Sequence, residues 1–143
     1  MLESVVCPES LREHSLALQP KIEEAVNIVV AQCSQAKTWL HGSYARYLLN
    51  NHQRPGAKKF ESWSDADLLF IFSGGFANSV DFLQFKRRIG LTLAEKAESR
   101  ALVDYYLVNP CVRWDDRQGF MRKIDQYQEG IVIFDHGKFS FPW

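Results

Sequence analysis

Apolar residues along the chain follow the spacing of a helix in some segments and that of a strand in others. Over residues 20–35 they recur every three or four positions, which is typical of one buried helix face. Residues 37–41 predict a short strand that stops at Gly42. A helix is predicted over residues 43–50, with Ser43 at or near its N-cap. The pattern is therefore a strand, a tight turn and a helix.

The two most apolar segments predict central strands of a sheet. Residues 66–72, ADLLFIF, carry large apolar side chains at nearly every position, as a strand buried on both faces does. Residues 101–108, ALVDYYLV, are β-branched and aromatic around a single Asp, and we predict a second central strand there. Residues 50–64 hold Pro, Gly and several charges without any period, which predicts a surface loop.

Further helical spacing and a short apolar run complete the predicted elements. Residues 80–99 are predicted to be helical, either as one helix broken near Gly90 and Thr92 or as two short ones. A helix over residues 120–128 and a last short strand over residues 131–134 follow. This order predicts a small α/β fold, a mixed sheet with helices mainly on one side.

The composition favours one domain. The chain has 143 residues, of which 46% are hydrophobic, and 17 basic side chains balance 17 acidic ones. This suits one core but is too short for two. We expect a single domain over residues 1–143, with residues 1–20 as an N-terminal helical extension and residues 50–64 as a loop insertion. Because the net charge is zero, no general attraction to phosphate backbones exists and no nucleic-acid partner is expected.

Nothing in the sequence indicates a membrane or an oxidising compartment. No stretch approaches the roughly 18 uninterrupted apolar residues of a membrane span, and the first residues do not resemble a secretory signal. Cys7, Cys33 and Cys111 are odd in number and far apart, which fits reduced thiols. We therefore expect a soluble, cytoplasmic protein without a membrane partner.

Aspartates stand within both of the most apolar segments. Asp65 and Asp67 lie two residues apart at the head of a predicted strand, so their side chains share a face. Asp104 lies inside the other strand, where a buried charge without a partner is costly. If the two strands are neighbours, the three carboxylates converge at the spacing that Mg²⁺ uses, commonly shared with substrate phosphates. The pattern predicts a divalent metal site.

Gly42 and Ser43 form the second candidate feature. Glycine lets a ligand approach the backbone closely, and a helix N-terminus presents free N–H groups to an anion. Such a junction is by itself most often only a turn, but its place ahead of the aspartates favours a phosphate. Arg46, one turn further on, is expected either to contact a phosphate or to form a surface ion pair. Lys58 and Lys59, in the predicted loop, are expected to be merely solvated.

Three segments together resemble the nucleotidyltransferase superfamily related to DNA polymerase beta. They are HGSYAR (41–46), SDADLLFIF (64–72) and LVDYYLV (102–108). In that superfamily a Gly-Ser turn precedes a strand that bears Asp-x-Asp, and a third Asp stands on a later strand. The short length and residues 120–135 are most similar to bacterial minimal nucleotidyltransferases, which are often encoded beside a HEPN-domain partner. The resemblance extends over about residues 22–135.

The resemblance implies transfer of a nucleoside monophosphate from a nucleoside triphosphate, with ATP favoured as the donor, to a hydroxyl. By this analogy Asp65 and Asp67 hold Mg²⁺ on the triphosphate. Asp104 completes a two-metal site and helps to deprotonate the acceptor. Gly42 and Ser43 bind the β and γ phosphates. Arg46 either contacts the triphosphate or forms a surface ion pair.

For this branch, the resemblance implies that the acceptor is a tyrosine of a HEPN-type toxin, which makes the protein a modifying antitoxin. Two departures from the family pattern concern the substrate or partner surface: Tyr47 stands where Gly is common, and the stretch from Ser43 to Asp65 is longer than usual.

Two alternatives stay open. One is a small-molecule nucleotidyltransferase of the antibiotic-modifying type, and the other is an antitoxin that neutralises by contact alone. The oligomeric state is not indicated.

Overall fold

The computed structural model describes residues 8–51, 56–95, 102–109 and 117–143. None of the helices described there combines the length and apolar character needed to cross a bilayer. Along the chain the elements are α1 (Pro8–Gln32), β1 (Ala36–His41), α2 (Gly42–Leu48), β2 (Ala66–Phe72), α3 (Ser79–Glu95), β3 (Val103–Val108), α4 (Arg117–Tyr127), β4 (Ile131–Asp135) and β5 (Lys138–Phe139).

The five strands form one mixed sheet in the order β3-β2-β1-β4-β5. Strand β1 runs antiparallel to both of its neighbours, β2 and β3 are parallel, and β4 and β5 form an antiparallel hairpin. The mixed sheet was predicted, and so was the central position of β2, which lies between β3 and β1. The prediction of a central β3 is wrong, because β3 ends the order of the described strands. Its Asp104 and Tyr106 are exposed on one face of the strand, so that face is open to solvent at these two positions.

The main core lies on one face of the sheet. Alternate side chains of β2 point to this face, and Phe72 meets Phe85 of α3 edge to face at 5.3 Å between ring centroids. The core also takes apolar residues from α1 and α2. Its fully buried members include Leu18, Ile22, Leu40, Tyr44, Leu68, Phe70, Phe72, Phe85 and Ile89.

A smaller apolar cluster covers part of the opposite face. Leu69, Val108 and Ile124 are buried together, so α4 packs against the residues of β2 and β3 that point away from the main core. Helices therefore lie mainly on one side, as predicted, with α4 on the other. Leu69 and Leu68 are both fully buried although they point to opposite faces, which is why the pattern of β2 is continuous rather than alternating.

Helix α1 begins at Pro8, upstream of the periodic segment that starts at Pro20 and within the predicted N-terminal helical extension. The two predicted parts form one helix that runs through Pro20. Proline cannot donate to the carbonyl four residues earlier, here that of Leu16. Both Pro20 and Leu16 lie on the exposed side of the helix, where water can hydrate that carbonyl. Solvent exposure thus explains why the proline does not end the helix.

Helix α3 is continuous through Gly90 and Thr92, where an interruption was expected. The Thr92 hydroxyl donates to the carbonyl of Arg88 at 2.9 Å, a bond that lies within the helix. On the buried side, Ile89 and Leu93 are anchored in the core, which offsets the weak helix propensity of these two positions. The last part of the predicted helix, residues 96–99, lies outside the described residues.

The chain ends in a hairpin that the sequence analysis did not predict. Strand β4 is followed by β5 rather than being the last strand. The turn residues His136 and Gly137 both have positive φ, at 51° and 75°, which suits a tight hairpin turn. Asn or Asp is the usual first residue of such a turn. Because His136 stands in that position, the sequence did not show the Asn-Gly or Asp-Gly pair that predicts a hairpin. Within the predicted loop, residues 50, 51 and 56–64 form no helix or strand, and residues 52–55 lie outside the described range.

Leu69→Ala is expected to destabilise the protein by about 2–4 kcal/mol, because it leaves a cavity between the sheet and α4. The matched control is Leu91→Ala on α3, where the leucine is 63% exposed and the cost should stay within about 0.5 kcal/mol. Urea unfolding of both variants measures the difference. Equal costs would contradict the packing of α4 on this face.

Candidate metal and phosphate site

Three aspartates converge at the N-terminal ends of β2 and β3. The parallel register places Asp67 beside Asp104, so both carboxylates lie on the same face of the sheet. Asp65 stands two residues before Asp67, just ahead of β2. One carboxylate oxygen from each of the three lies within 4.8 Å of the other two. The predicted adjacency of the two strands, and the convergence of the three acids, are confirmed.

Burial and repulsion from the other two acids both act on the pKa of Asp67. Burial raises the pKa of Asp67 from 3.8 to about 7, with further contributions from the negative charges of Asp65 and Asp104. The positive charges of Lys58 and Arg46 oppose this rise. A divalent cation bound to the three carboxylates would remove the repulsion, and hard carboxylate oxygens are the ligands that Mg²⁺ prefers. The residues present therefore fit such an ion.

Exposure differs among the three acids. Asp65 and Asp67 are half-buried, whereas Asp104 is exposed. The backbone N–H of Tyr105 donates to Asp104 Oδ1 at 3.1 Å, which orients that carboxylate. A cation held here would keep one side open to solvent, where oxygens of a substrate could complete its coordination.

The Gly-Ser turn directly adjoins Asp67. The antiparallel register of β1 and β2 pairs His41 with Asp67, so the next residue, Gly42, lies against the carboxylate. A Cβ atom at Gly42 would stand 2.3 Å from Asp67 Oδ2, and φ at Gly42 is +79°. Glycine is thus required both for the backbone conformation and for the space.

The helix after this turn starts one residue earlier than expected. The N-cap of α2 is His41, two residues before Ser43, and no side chain caps the helix. The sharp backbone turn at Gly42 already begins the helix, so Ser43 lies in its first turn, where it is buried. His41, the last residue of β1, shares the sheet face of Asp67 because the register pairs these two residues.

Arg46 forms a buried ion pair. Its Nη1 lies 3.2 Å from Glu129 Oε2, and the two side chains are only 8% and 3% exposed. Its Nη2 donates to the backbone carbonyl of Lys58. The ion pair is therefore in the interior rather than at the surface as expected, and the contact with phosphate stays a prediction. Sequence reasoning missed Glu129, because nothing local links it to an arginine 83 residues away.

No protein-family model matches the chain, and no curated protein matches it. Among solved structures, it is similar to a crystal structure from Sulfolobus solfataricus that is provisionally described as a nucleotidyltransferase. The similarity covers 92% of this chain and 93% of that one, with a TM-score of 0.56 and 19% sequence identity. At this identity the match shows a shared mixed α/β fold.

Gly42→Ala should damage both stability and metal binding. Gly56 is the matched control, since its φ is +73° and an added Cβ would meet no described atom within 4 Å. We expect Gly56→Ala to cost about 1 kcal/mol through backbone strain alone. Gly42→Ala should cost about 1–2 kcal/mol more and weaken Mn²⁺ binding about tenfold or more, because the methyl group displaces Asp67. Urea unfolding and Mn²⁺ titration measure the two effects; identical behaviour of the two variants would contradict the contact.

The raised pKa of Asp67 makes stability depend on pH in the absence of metal. The folded state favours the protonated carboxyl of Asp67. The contribution of this group to the free energy of unfolding is therefore fully present below pH 3.8 and is lost as the pH rises towards and through about 7. The loss should be on the order of 2 kcal/mol for this partly exposed group. Urea unfolding in EDTA at several pH values tests this, and Mg²⁺ should restore stability most strongly at pH 8. Asp67→Asn should remove this component, and an unchanged pH profile would refute the assignment.

Proposed function

We propose that this chain is a metal-dependent nucleotidyltransferase that moves a nucleoside monophosphate from a nucleoside triphosphate to a hydroxyl group. The observation that carries this proposal is the convergence of Asp65, Asp67 and Asp104 beside Gly42. Two further observations support it. The segments that hold these residues resemble the polymerase-beta-like superfamily, and the fold is shared with a protein provisionally described as a nucleotidyltransferase.

In this proposal Asp65 and Asp67 hold Mg²⁺, and Asp104 contributes to a second metal position. The bound ions would offset negative charge on the attacked phosphate and on the departing pyrophosphate. By the resemblance, Gly42 and Ser43 are the candidates for contact with the β and γ phosphates, and Gly42 lies directly against the Asp67 carboxylate. The contribution of the protein is then positioning and electrostatic stabilisation.

The transfer itself is a single displacement at the α-phosphorus. The acceptor oxygen forms a bond to this phosphorus while the bond to the bridging oxygen of the β-phosphate breaks, and pyrophosphate leaves with that oxygen. The hydroxyl proton passes to the Asp104 carboxylate and then to water. Asp104 suits this role because it is the exposed member of the three acids and the Tyr105 N–H orients it.

Within this function, we infer ATP as the donor and a tyrosine of a HEPN-type toxin as the acceptor. Both inferences come from the resemblance of the three motif segments to the minimal nucleotidyltransferases, which is an argument by analogy. The three intact acids favour a modifying enzyme over an antitoxin that acts by contact alone. Transfer of label from each of the four nucleoside triphosphates, with and without an added HEPN-domain protein, distinguishes the donor and the acceptor.

Asp65→Asn and Asp67→Asn are each expected to lower transfer of label from ATP labelled at the α-phosphate by a factor of about 10³ or more, because each removes a ligand of the metal. Asp81→Asn is the control, since Asp81 is an exposed acid in the first turn of α3, on the opposite side of the sheet. Label in the acceptor and released pyrophosphate are measured together. Full activity in either site variant would refute the catalytic proposal and favour a binding module.

A further inference from the structure

Arg46 joins two parts of the chain that are distant in sequence. Its guanidinium lies between the carboxylate of Glu129, which follows α4, and the carbonyl of Lys58 in the loop before β2. Removing one partner of a buried pair leaves a charge without compensation, so this arrangement is strongly held. The side chain of Asn51 adds a second link, since its Nδ2 donates to the carbonyl of Tyr127 at 2.9 Å. The backbone of the loop is therefore fixed at Lys58.

The same arginine places Lys58 near the acidic site. Arg46 follows Gly42 by four residues in α2, so the two residues lie on one face of the helix, about one turn or 5–6 Å apart. Gly42 in turn lies against Asp67 Oδ2. The charge of Lys58 acts on Asp67 and opposes the effect of its burial, which agrees with this placement.

The side chain of Lys58 is exposed although its backbone is anchored. The ion pairs found between described residues do not include it. Lys59 is exposed as well, but within the described chain it shows neither the backbone bond to Arg46 nor the effect on Asp67. The structure thus distinguishes two lysines that are equivalent in sequence.

We propose that Lys58 binds the phosphate chain of the substrate and that Arg46 is a positioning residue, which holds Lys58 at the site and does not itself contact the substrate. This inference rests on the proposed function, because it assumes that a triphosphate occupies the face of the three acids. A lysine ammonium is a compact charge with three hydrogen-bond donors on a flexible side chain. It therefore suits a polyphosphate, in which several negatively charged phosphate groups follow one another. The fixed carbonyl of Lys58 limits the volume that its ammonium can reach.

Binding of inorganic tripolyphosphate with Mg²⁺ tests the role of Lys58 without any assumption about the base. Isothermal titration should show about tenfold weaker binding for Lys58→Ala and a change within about twofold for Lys59→Ala. Absence of Mg²⁺-dependent binding to the unmodified protein would overturn the proposed function and this inference together. Binding that is lost equally in both variants, or in neither, would overturn this inference alone.

A double-mutant cycle tests the role of Arg46. Arg46→Lys keeps the charge beside Glu129 but loses the forked guanidinium that bridges to Lys58, so it should weaken tripolyphosphate binding about as much as Lys58→Ala does. The double variant should then bind no more weakly than Lys58→Ala alone. Additive losses would show that Arg46 contacts phosphate directly and would overturn its positioning role. Thermal unfolding checks that each variant folds, and Glu129→Gln, which loosens the same bridge, replaces Arg46→Lys if that variant does not fold.

Discussion

Repulsion among three carboxylates at one end of the sheet is the constraint on which the rest of the site depends. Asp67 is the most affected, because it is partly buried and faces negative charge from both other acids. Such a group keeps its negative charge if positive charge stands close by, and otherwise it takes up a proton. The chain supplies part of it through Arg46 and Lys58, and the chemistry of the three acids suits a divalent ion for the remainder. The glycine at position 42 belongs to the same arrangement, since any side chain there would displace Asp67.

Strand register turns this local constraint into a site. The antiparallel pairing of β1 with β2 brings the Gly-Ser turn to Asp67, and the parallel pairing of β2 with β3 brings Asp104 to it from the other side. A slip of one residue in either pairing would send one partner to the opposite face. The register is well determined because Leu68, Phe70 and Phe72 must point into the main core. Helix α4 covers the other face over Leu69 and Ile71, and the acids lie beyond that cover.

The loop before β2 is more than a surface insertion. Its backbone is held from the inside by a buried arginine, and that arginine is neutralised by a glutamate from the segment after α4. A buried ion pair of this kind adds little net stability compared with apolar packing, but it is costly to break and so fixes which segments meet. Here the segments that meet are the loop, α2 and the end of α4, and their junction stands beside the acids.

Local sequence was enough to predict the strands β1 and β2, the common face of Asp65 and Asp67, and the turn at Gly42, because each depends on residues close together in the chain. Contacts between distant segments establish the edge position of β3, the course of α1 through Pro20, the pairing of Arg46 with Glu129 and the difference between Lys58 and its neighbour. The pattern of apolar residues indicates which side chains of a strand are buried, but not how many neighbouring strands it has. An edge strand such as β3 can therefore be as apolar as a central one. An ion pair between residues 83 positions apart leaves no local pattern at all, since it exists only where two folded surfaces come together.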